Sequence, residues 1–506
     1  MDKKWKITLL AAVIIINCII AYYPHFSNPY PILTDEYNHI SFGKYILDEH
    51  RLPFTNPYFQ YGEKHINFES GFHFFLALMF AITPGEPILY YKYFIVIFMI
   101  INSSLLFYLT FLWFKNYYIS LLSVLFYGTI KSTGDLLAHN YFLPLTLGIS
   151  LLLLSFIFFH KWEKEDTNSL LNKYIVYLMV ILAITAITYP PALTFFAGIL
   201  SLYILSMNHN LNKKLKVTKK QFLIYFICIF LISAILIISI LSYYNSANYI
   251  IFNDTWTPIQ ADYSPIFFFG IISSVFAFLG LFHIMRKNKE KIIFYWFIFS
   301  IINIYLFYIF KFSILVPFIR LFVFYLIGMS ILSGIGIIFT YNIIANYLNN
   351  YGKPDNIKYI KLLVVSIILL LILINYFFVF KYDLNPPHII NKDKYEALKY
   401  FKENYPKDLI IIANSYESHS IYPITGNKVH GIIGGNIGGG LPYVSNKLIY
   451  ASCEEKKQII NKAKIDYPVE IARNSKKYIM ISDFHQNCDV LQPIYEKGYF
   501  IYKIII

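Results

Sequence analysis

Adjacent carboxylates at Asp35 and Glu36, followed by an imidazole at His39, open the stretch TDEYNHISFGKYILDEHRLP, residues 34–53. Read as a helix from Glu36, the stretch puts Glu36, His39, Gly43 and Lys44 on one face. Tyr37, Ile40 and Leu47 fall on another, widened by Phe42, Tyr45 and Ile46. Such a helix lies flat on a membrane with Asp35 at its N-terminal end. A carboxylate held at the lipid–water boundary can deprotonate an attacking hydroxyl or bind a metal ion. The plainer reading makes Asp35 an N-cap on a solvated connector, although a cap does not require the neighbouring glutamate.

Further groups of the same chemistry follow. Glu69 and His73 lie later in the same polar region, and KSTGDLLAHNYFLP (residues 131–144) carries Asp135 and His139 four apart, on one face if helical. His39, Glu69, His73, Asp135 and His139 are the candidates for contacting a substrate or a metal, whose identity the residues leave open. Asp135 is equally readable as a helix start and His139 as a hydrogen-bonded interfacial residue. Arg320, in LVPFIRLFVFY, is a charge inside an apolar run, which is costly and marks a functional site by default. Its planar fork suits a phosphate; the alternative is snorkelling to headgroups. Lys311 and Lys131 are candidate helpers at the phosphate and equally readable as interfacial lysines. HGIIGGNIGGG (residues 430–440) lacks the Lys-Ser/Thr ending of a phosphate loop and is expected to be a flexible surface loop.

These groups sit in a chain of 506 residues that is 57% hydrophobic, 19% aromatic and only 14% charged, which excludes an ordinary soluble globular protein. Apolar runs long enough to span a bilayer recur to about residue 380. About eleven are expected: Trp5–Tyr23, Ile88–Phe114, Asn116–Ile130, Tyr141–His160, Tyr174–Tyr189, Ala192–Met207, Gln221–Tyr243, Ser264–Ile284, Ile292–Phe310, Ile314–Thr340 and Tyr359–Phe380. The run Gly71–Thr83 is too short to span and suits an interfacial helix. The net charge of +14 is lysine-rich between apolar segments, as at a cytoplasmic membrane face, so no nucleic-acid partner is expected. MDKK, NKKLKVTKK, RKNKEK and GKPDNIKYIK are assigned to the cytoplasm; residues 245–263, without Lys or Arg, lie outside. Eleven spans from a cytoplasmic N-terminus satisfy all of these loops and leave residues 24–87 as one long external loop.

The last 120 or so residues change character. KYEALKYFKENYP and SCEEKKQIINKAKIDY read as helices; LIIIAN, YIMIS and YFIYKIII read as buried strands. The expected organisation is a transmembrane domain over residues 1–382 and a small extracytoplasmic α/β domain over 383–506, in a multi-pass plasma-membrane protein. Cys453 and Cys488 can pair only if that domain faces an oxidising compartment.

The first span, the Asp-Glu pair opening a long external loop, HISFGKYILDEHRLPFTNPYF, FESGFHFFLALMF and AITYPPAL together resemble the GT-C membrane glycosyltransferases. These include protein O-mannosyltransferases, lipid A aminoarabinose transferases and oligosaccharyltransferase catalytic subunits. The resemblance implies inverting transfer of a sugar from a polyprenyl-phosphate-linked (dolichyl-type) donor to a protein, lipid or glycan acceptor on the outer face. It makes Asp35 the catalytic carboxylate with Glu36 beside it, Arg320, Lys311 and Lys131 the donor-phosphate cations, and a divalent cation (Mg or Mn) a candidate cofactor. The second loop lacks a paired acid, and residues after Asp383 contain no Trp, so the likeness is to the smaller transferases that take a single sugar. Three other readings compete: a transporter or flippase of envelope precursors, a glycan polymerase or ligase, and a non-catalytic envelope-glycan assembly protein. No internal repeat supports the first, and residues 245–263 lack the basic groups expected of the second.

Overall fold

In the computed structural model the described residues are 2–53, 57, 58, 69–132, 136, 139–165, 173–208, 251–253, 264–287, 291–351, 366, 367, 370, 371, 373, 374, 388–432, 439, 440, 442–466, 478–483 and 485–504. The expected span Gln221–Tyr243, nearly all of Tyr359–Phe380 and the candidate Asp135 lie outside them.

Through residue 208 the elements among the described residues are all helical: α1 (Lys3–Tyr22), α2 (Thr34–Glu49), α3 (Ser70–Ile82), α4 (Pro87–Tyr90), α5 (Lys92–Phe114), α6 (Tyr117–Gly128), α7 (Pro144–Lys164), α8 (Lys173–Thr188) and α9 (Pro190–Asn208). A short strand β1 (Ile251–Asn253) precedes α10 (Pro265–Phe269), α11 (Ile271–Lys287) and α12 (Lys291–Phe310). Strand β2 (Phe312–Ile314) pairs antiparallel with β1 and leads into α13 (Phe318–Tyr351), 34 residues long. Helices α1, α5, α7, α12 and α13 are long and apolar enough to cross a membrane; α3, α6, α8, α9 and α11 are shorter apolar helices.

Residues 1–23 and 95–385 form one compact unit. Its helices approach closely where side chains vanish: a Cβ on Gly280 of α11 would lie 2.0 Å from the Leu332 carbonyl oxygen, and one on Gly336 of α13 would lie 1.9 Å from that of Phe276. Polar ties add to the packing, as where Asn17 of α1 donates to the Val124 carbonyl of α6 at 2.8 Å. Two expected spans are revised. Ser264–Ile284 is broken at Gly270, whose φ of 86° is open to glycine and ends α10. Ile314 belongs to the β2 strand rather than to a helix, because Lys311 and Leu315 take positive φ values of 61° and 67° on either side of it.

Residues 24–94 and 386–506 form the second unit. Its later segment contains α14 (Lys392–Asn404), β3 (Ile410–Ile412), α15 (Ile421–Thr425), β4 (Lys428–Val429), β5 (Gly431–Ile432), β6 (Gly439–Gly440), α16 (Pro442–Tyr450), α17 (Cys453–Asp466), β7 (Tyr478–Ser482), β8 (Leu491–Glu496) and β9 (Phe500–Ile504). Five strands make a mixed sheet in the order β4-β3-β7-β9-β8, parallel from β4 to β7 and antiparallel beyond. Both segments supply one apolar core: Tyr30, Tyr37, Phe42 and Tyr58 pack with Leu398, Phe401, Ile421 and Ile479. The glycine-rich run expected as a loop begins and ends in the β5–β6 ladder, pairing Gly431 with Gly440.

Candidate functional site

Helix α2 begins where the chain needs its first amides satisfied. The N–H groups of Ile32 and Leu33 both donate to Glu36 Oε2, at 2.9 and 3.2 Å, and Glu36 is fully buried. A charged acceptor for amides at a helix start is a strong local bond, so one of the two adjacent carboxylates holds the backbone. Asp35, one residue earlier and on the neighbouring face, is half-buried. Its charge reaches two tyrosines: burial, and after it Asp35, pushes the Tyr416 phenol up, while burial, Tyr422 and Asp35 hold that of Tyr58 well above its ordinary value. Tyr58 donates to the Asn38 carbonyl at 2.8 Å, and its own carbonyl accepts from the Val429 N–H at 2.7 Å. Asn38 Oδ1 meets His419 Nδ1 at 2.7 Å, and Lys44 donates to the Pro423 carbonyl at 3.1 Å. The helix carrying Asp35 is thus fixed against residues almost four hundred positions later in the chain.

One turn beyond Asp35, His39 faces α3. Its Nδ1 lies 2.8 Å from Nε2 of His73, both rings being buried, and its Nε2 is 4.0 Å from Glu69 Oε2. Phe42 stacks on the His73 ring at 4.6 Å and Phe72 meets His39 edge-on at 5.3 Å, which fixes both imidazoles. One ligand atom from each of His39, Glu69 and His73 falls within 4.8 Å of the others. Two imidazoles and one carboxylate are a donor set for zinc; magnesium prefers carboxylates and water. The two histidine nitrogens need only part to about 3.3 Å to sit on one tetrahedral zinc with bonds of about 2.0–2.1 Å. The residues therefore fit a divalent metal, and fit Mg less well than Zn.

The remaining candidates lie in the other unit. His139 is buried, with Nε2 2.7 Å from the Tyr127 carbonyl and its ring on that of Tyr127 at 4.4 Å. Burial pushes its imidazole down to about 4, against the raising effect of that hydrogen bond, so it is neutral at physiological pH. Lys131 is buried with its ammonium 4.0 Å from the Phe267 ring centre. Its N–H donates to the Phe268 carbonyl, and the Phe268 ring meets Phe322, two residues beyond Arg320. Arg320 is half-buried in the first turn of α13. Lys311 is exposed; its N–H closes α12 on the Phe307 carbonyl at 2.9 Å.

Asp35 with His39 and Glu69 with His73 repeat one acid-x-x-x-His spacing, which Asp135 and His139 also show. That repetition is the sequence signal for the cluster, and it is invisible to a search for His-x-x-x-His. The sequence reading did not single out Asn38, Tyr58, His419 and Tyr416. They are joined to α2 by long-range contacts with no periodic signal.

No family model and no curated protein sequence matches the chain. Solved structures do. An oligosaccharyltransferase from Archaeoglobus fulgidus, tethered to an acceptor peptide, aligns over 95% of this chain and 69% of its own, with TM-score 0.58 and 12% identity. ArnT from Cupriavidus metallidurans bound to undecaprenyl phosphate aligns over 99% of this chain and 98% of its own, with TM-score 0.55 and 10% identity. A further structure of the Archaeoglobus enzyme contains zinc and sulfate and aligns at TM-score 0.56 and 12% identity, over 93% of this chain and 68% of its own. The neighbours, an oligosaccharyltransferase and an aminoarabinose transferase, are both GT-C glycosyltransferases, and this chain shares their fold.

Proposed function

We propose that this GT-C-fold protein transfers a sugar from a polyprenyl-phosphate-linked donor to an acceptor hydroxyl or amide at the outer face of the membrane, with inversion. The observation that carries the reading is the division of labour at the start of α2. Glu36 is fully buried and accepts the Ile32 and Leu33 amides, while Asp35 is half-buried in the first turn, where its charge reaches Tyr416 and Tyr58. ArnT was solved with undecaprenyl phosphate and the Archaeoglobus enzyme with dolichol-phosphate, which supports a lipid-phosphate donor here.

The step is a single displacement. Asp35 accepts the proton of the acceptor group; the acceptor's heteroatom forms a bond to the anomeric carbon; the bond from that carbon to the phosphate oxygen breaks, and its electron pair leaves with the lipid phosphate. The cations assigned to the departing phosphate are Arg320, Lys131 and Lys311, whose charge stabilises what develops there. His39, Glu69 and His73 are the residues that would hold a divalent metal, which would supply Lewis acidity or a rigid anchor when bound. Eleven spans, a cytoplasmic N-terminus, an extracytoplasmic C-terminal domain over 383–506 and a plasma-membrane location complete the reading.

The test incubates purified protein with lipid extract and acceptor membranes and follows polyprenyl-linked sugars by mass spectrometry. Consumption of one lipid-linked sugar by wild type and not by a folded Asp35→Asn variant supports the proposal. No consumption by wild type rejects it in favour of transport or assembly.

A further inference from the structure

The first unit holds a cavity that the transfer reaction does not use. It lies where α5, α7 and α9 end and α12 begins, has a volume of about 150 Å³, and has a two-part lining. Its inner wall is made by buried side chains, Trp113, Phe159 and Ile292, with the imidazole of His160 among them. Its rim is polar: Lys164 and Glu163 are exposed, and Lys291 and Tyr203 half-exposed. The Tyr203 hydroxyl donates to the Glu163 carboxylate, so the rim's one anion already has a proton donor beside it. Neither Lys164 nor Lys291 makes an ion pair with any described residue. Two ammonium groups thus border this wall with no carboxylate bound to either.

The surroundings say what kind of molecule reaches this place. At the same helix ends Lys161 lies over the rings of Tyr108 and Tyr174, Lys173 over Tyr174, and Lys6 over Tyr117, at 5.1 to 5.6 Å. Rings and lysines paired around helix ends are the pattern of a membrane–water interface, here at the end that lysine bias assigns to the cytoplasm. An inorganic anion would use the two ammonium groups but has nothing to place on Trp113 and Phe159. A phospholipid uses both, its phosphate on the lysines and its glycerol and first methylenes on the rings.

We infer that this cavity is a binding site for one anionic phospholipid headgroup of the leaflet that lysine bias assigns to the cytoplasm. The inference is independent of the transfer reaction.

Native mass spectrometry of the full chain, released from detergent with dihexanoyl phosphatidylglycerol, dihexanoyl phosphatidylcholine or inorganic phosphate, tests it. The expected result is one phosphatidylglycerol per chain bound in preference to phosphatidylcholine. Binding should weaken by about 30-fold in the Lys164→Gln, Lys291→Gln double variant and be restored by the Arg pair. Equal binding in the Gln pair, equal binding of phosphatidylcholine, or displacement by equimolar inorganic phosphate overturns it. A photoreactive phosphatidylglycerol on the unaltered protein gives a second reading that needs no variant. Crosslinks within residues 113–115, 159–164 or 291–295 support the site, and crosslinks only elsewhere reject it.

Discussion

His39 and His73 stand 34 residues apart in the chain, yet a nitrogen of one imidazole lies 2.8 Å from a nitrogen of the other. Helices α2 and α3 are joined at this point, with Glu69 4.0 Å from the far nitrogen of His39. The pair as it stands is hydrogen-bonded, and parting to about 3.3 Å would let both nitrogens hold one zinc; the two states differ in what acid does to them.

If the cluster holds zinc, protein dialysed against a trace of zinc retains one ion per chain at pH 7.5. It loses the ion near pH 5, because protons compete for imidazole nitrogen. His73→Ala removes the retained ion at both pH values. Elemental analysis checks this, and absence of bound zinc at pH 7.5 leaves only the hydrogen-bonded pair.

Asp35→Asn lowers transfer by about 10²–10⁴-fold, the range for losing a positioned base, with the melting temperature nearly unchanged. Glu36→Ala does the reverse. It costs about 1.5–3 kcal/mol of stability through loss of the charged acceptor for the Ile32 and Leu33 amides, and retains transfer in the fraction that remains folded. Turnover and thermal unfolding measured on both variants decide between the carboxylates. Loss of turnover in a folded Glu36→Ala protein would return Glu36 to the chemistry.

Lys394 is enclosed beneath Tyr499, bonded to Glu417 at 2.9 Å and to the Ile389 carbonyl at 3.2 Å. Burial pulls its ammonium down to about 8, against the opposing pull of Glu417. Because the folded form binds this proton less tightly than the unfolded chain does, the unfolded state carries more protons between about pH 8 and 10.5, and stability rises with pH across that window. Below about pH 8 both states are protonated and the penalty is constant. Lys44, also lowered to about 8 by burial and then by Lys402, acts with the same sign. Thermal unfolding at pH 8 and pH 10 should show a rise that is smaller in Lys394→Gln. An equal rise in both proteins would clear Lys394 of the effect.

Cys453 and Cys488 form a disulfide that closes a loop across 35 positions. Chain-entropy reasoning puts its contribution at about 4 kcal/mol. Cys453→Ser should therefore lower the melting temperature of the intact protein, and a thiol-reactive polymer should leave Cys453 and Cys488 of the wild type unlabelled until reductant is added. Labelling of Cys453 and Cys488 without reductant in freshly lysed cells would place this region in a reducing compartment.

The sequence carried the apolar helices among the described residues, five of them long enough to cross a membrane, because length and apolarity are local properties. The expected Trp5–Tyr23 appears as Lys3–Tyr22, and the short Gly71–Thr83 appears as Ser70–Ile82. YIMIS is strand β7 residue for residue. The break at Gly270 was less legible, since an apolar run shows no sign of the one residue that takes a positive φ within it. The site was half legible. Asp35 and Glu36 have the same charge and adjacent places, and only folding shows that the Ile32 and Leu33 amides choose Glu36. The meeting of His39 with His73, and of Asn38 with His419, depends on tertiary packing that no periodicity encodes.

The second unit is assembled from residues 24–94 and 386–506, with nearly three hundred residues between the two pieces. At about 5–20 residues per second of synthesis, the helix bearing Asp35 leaves the ribosome about 20–75 s before the segment that brings His419, Pro423 and Val429 to it. A nascent or prematurely terminated chain therefore carries its acid without the partners that hold it in place. Completion of translation is the event that brings the two pieces of this unit together.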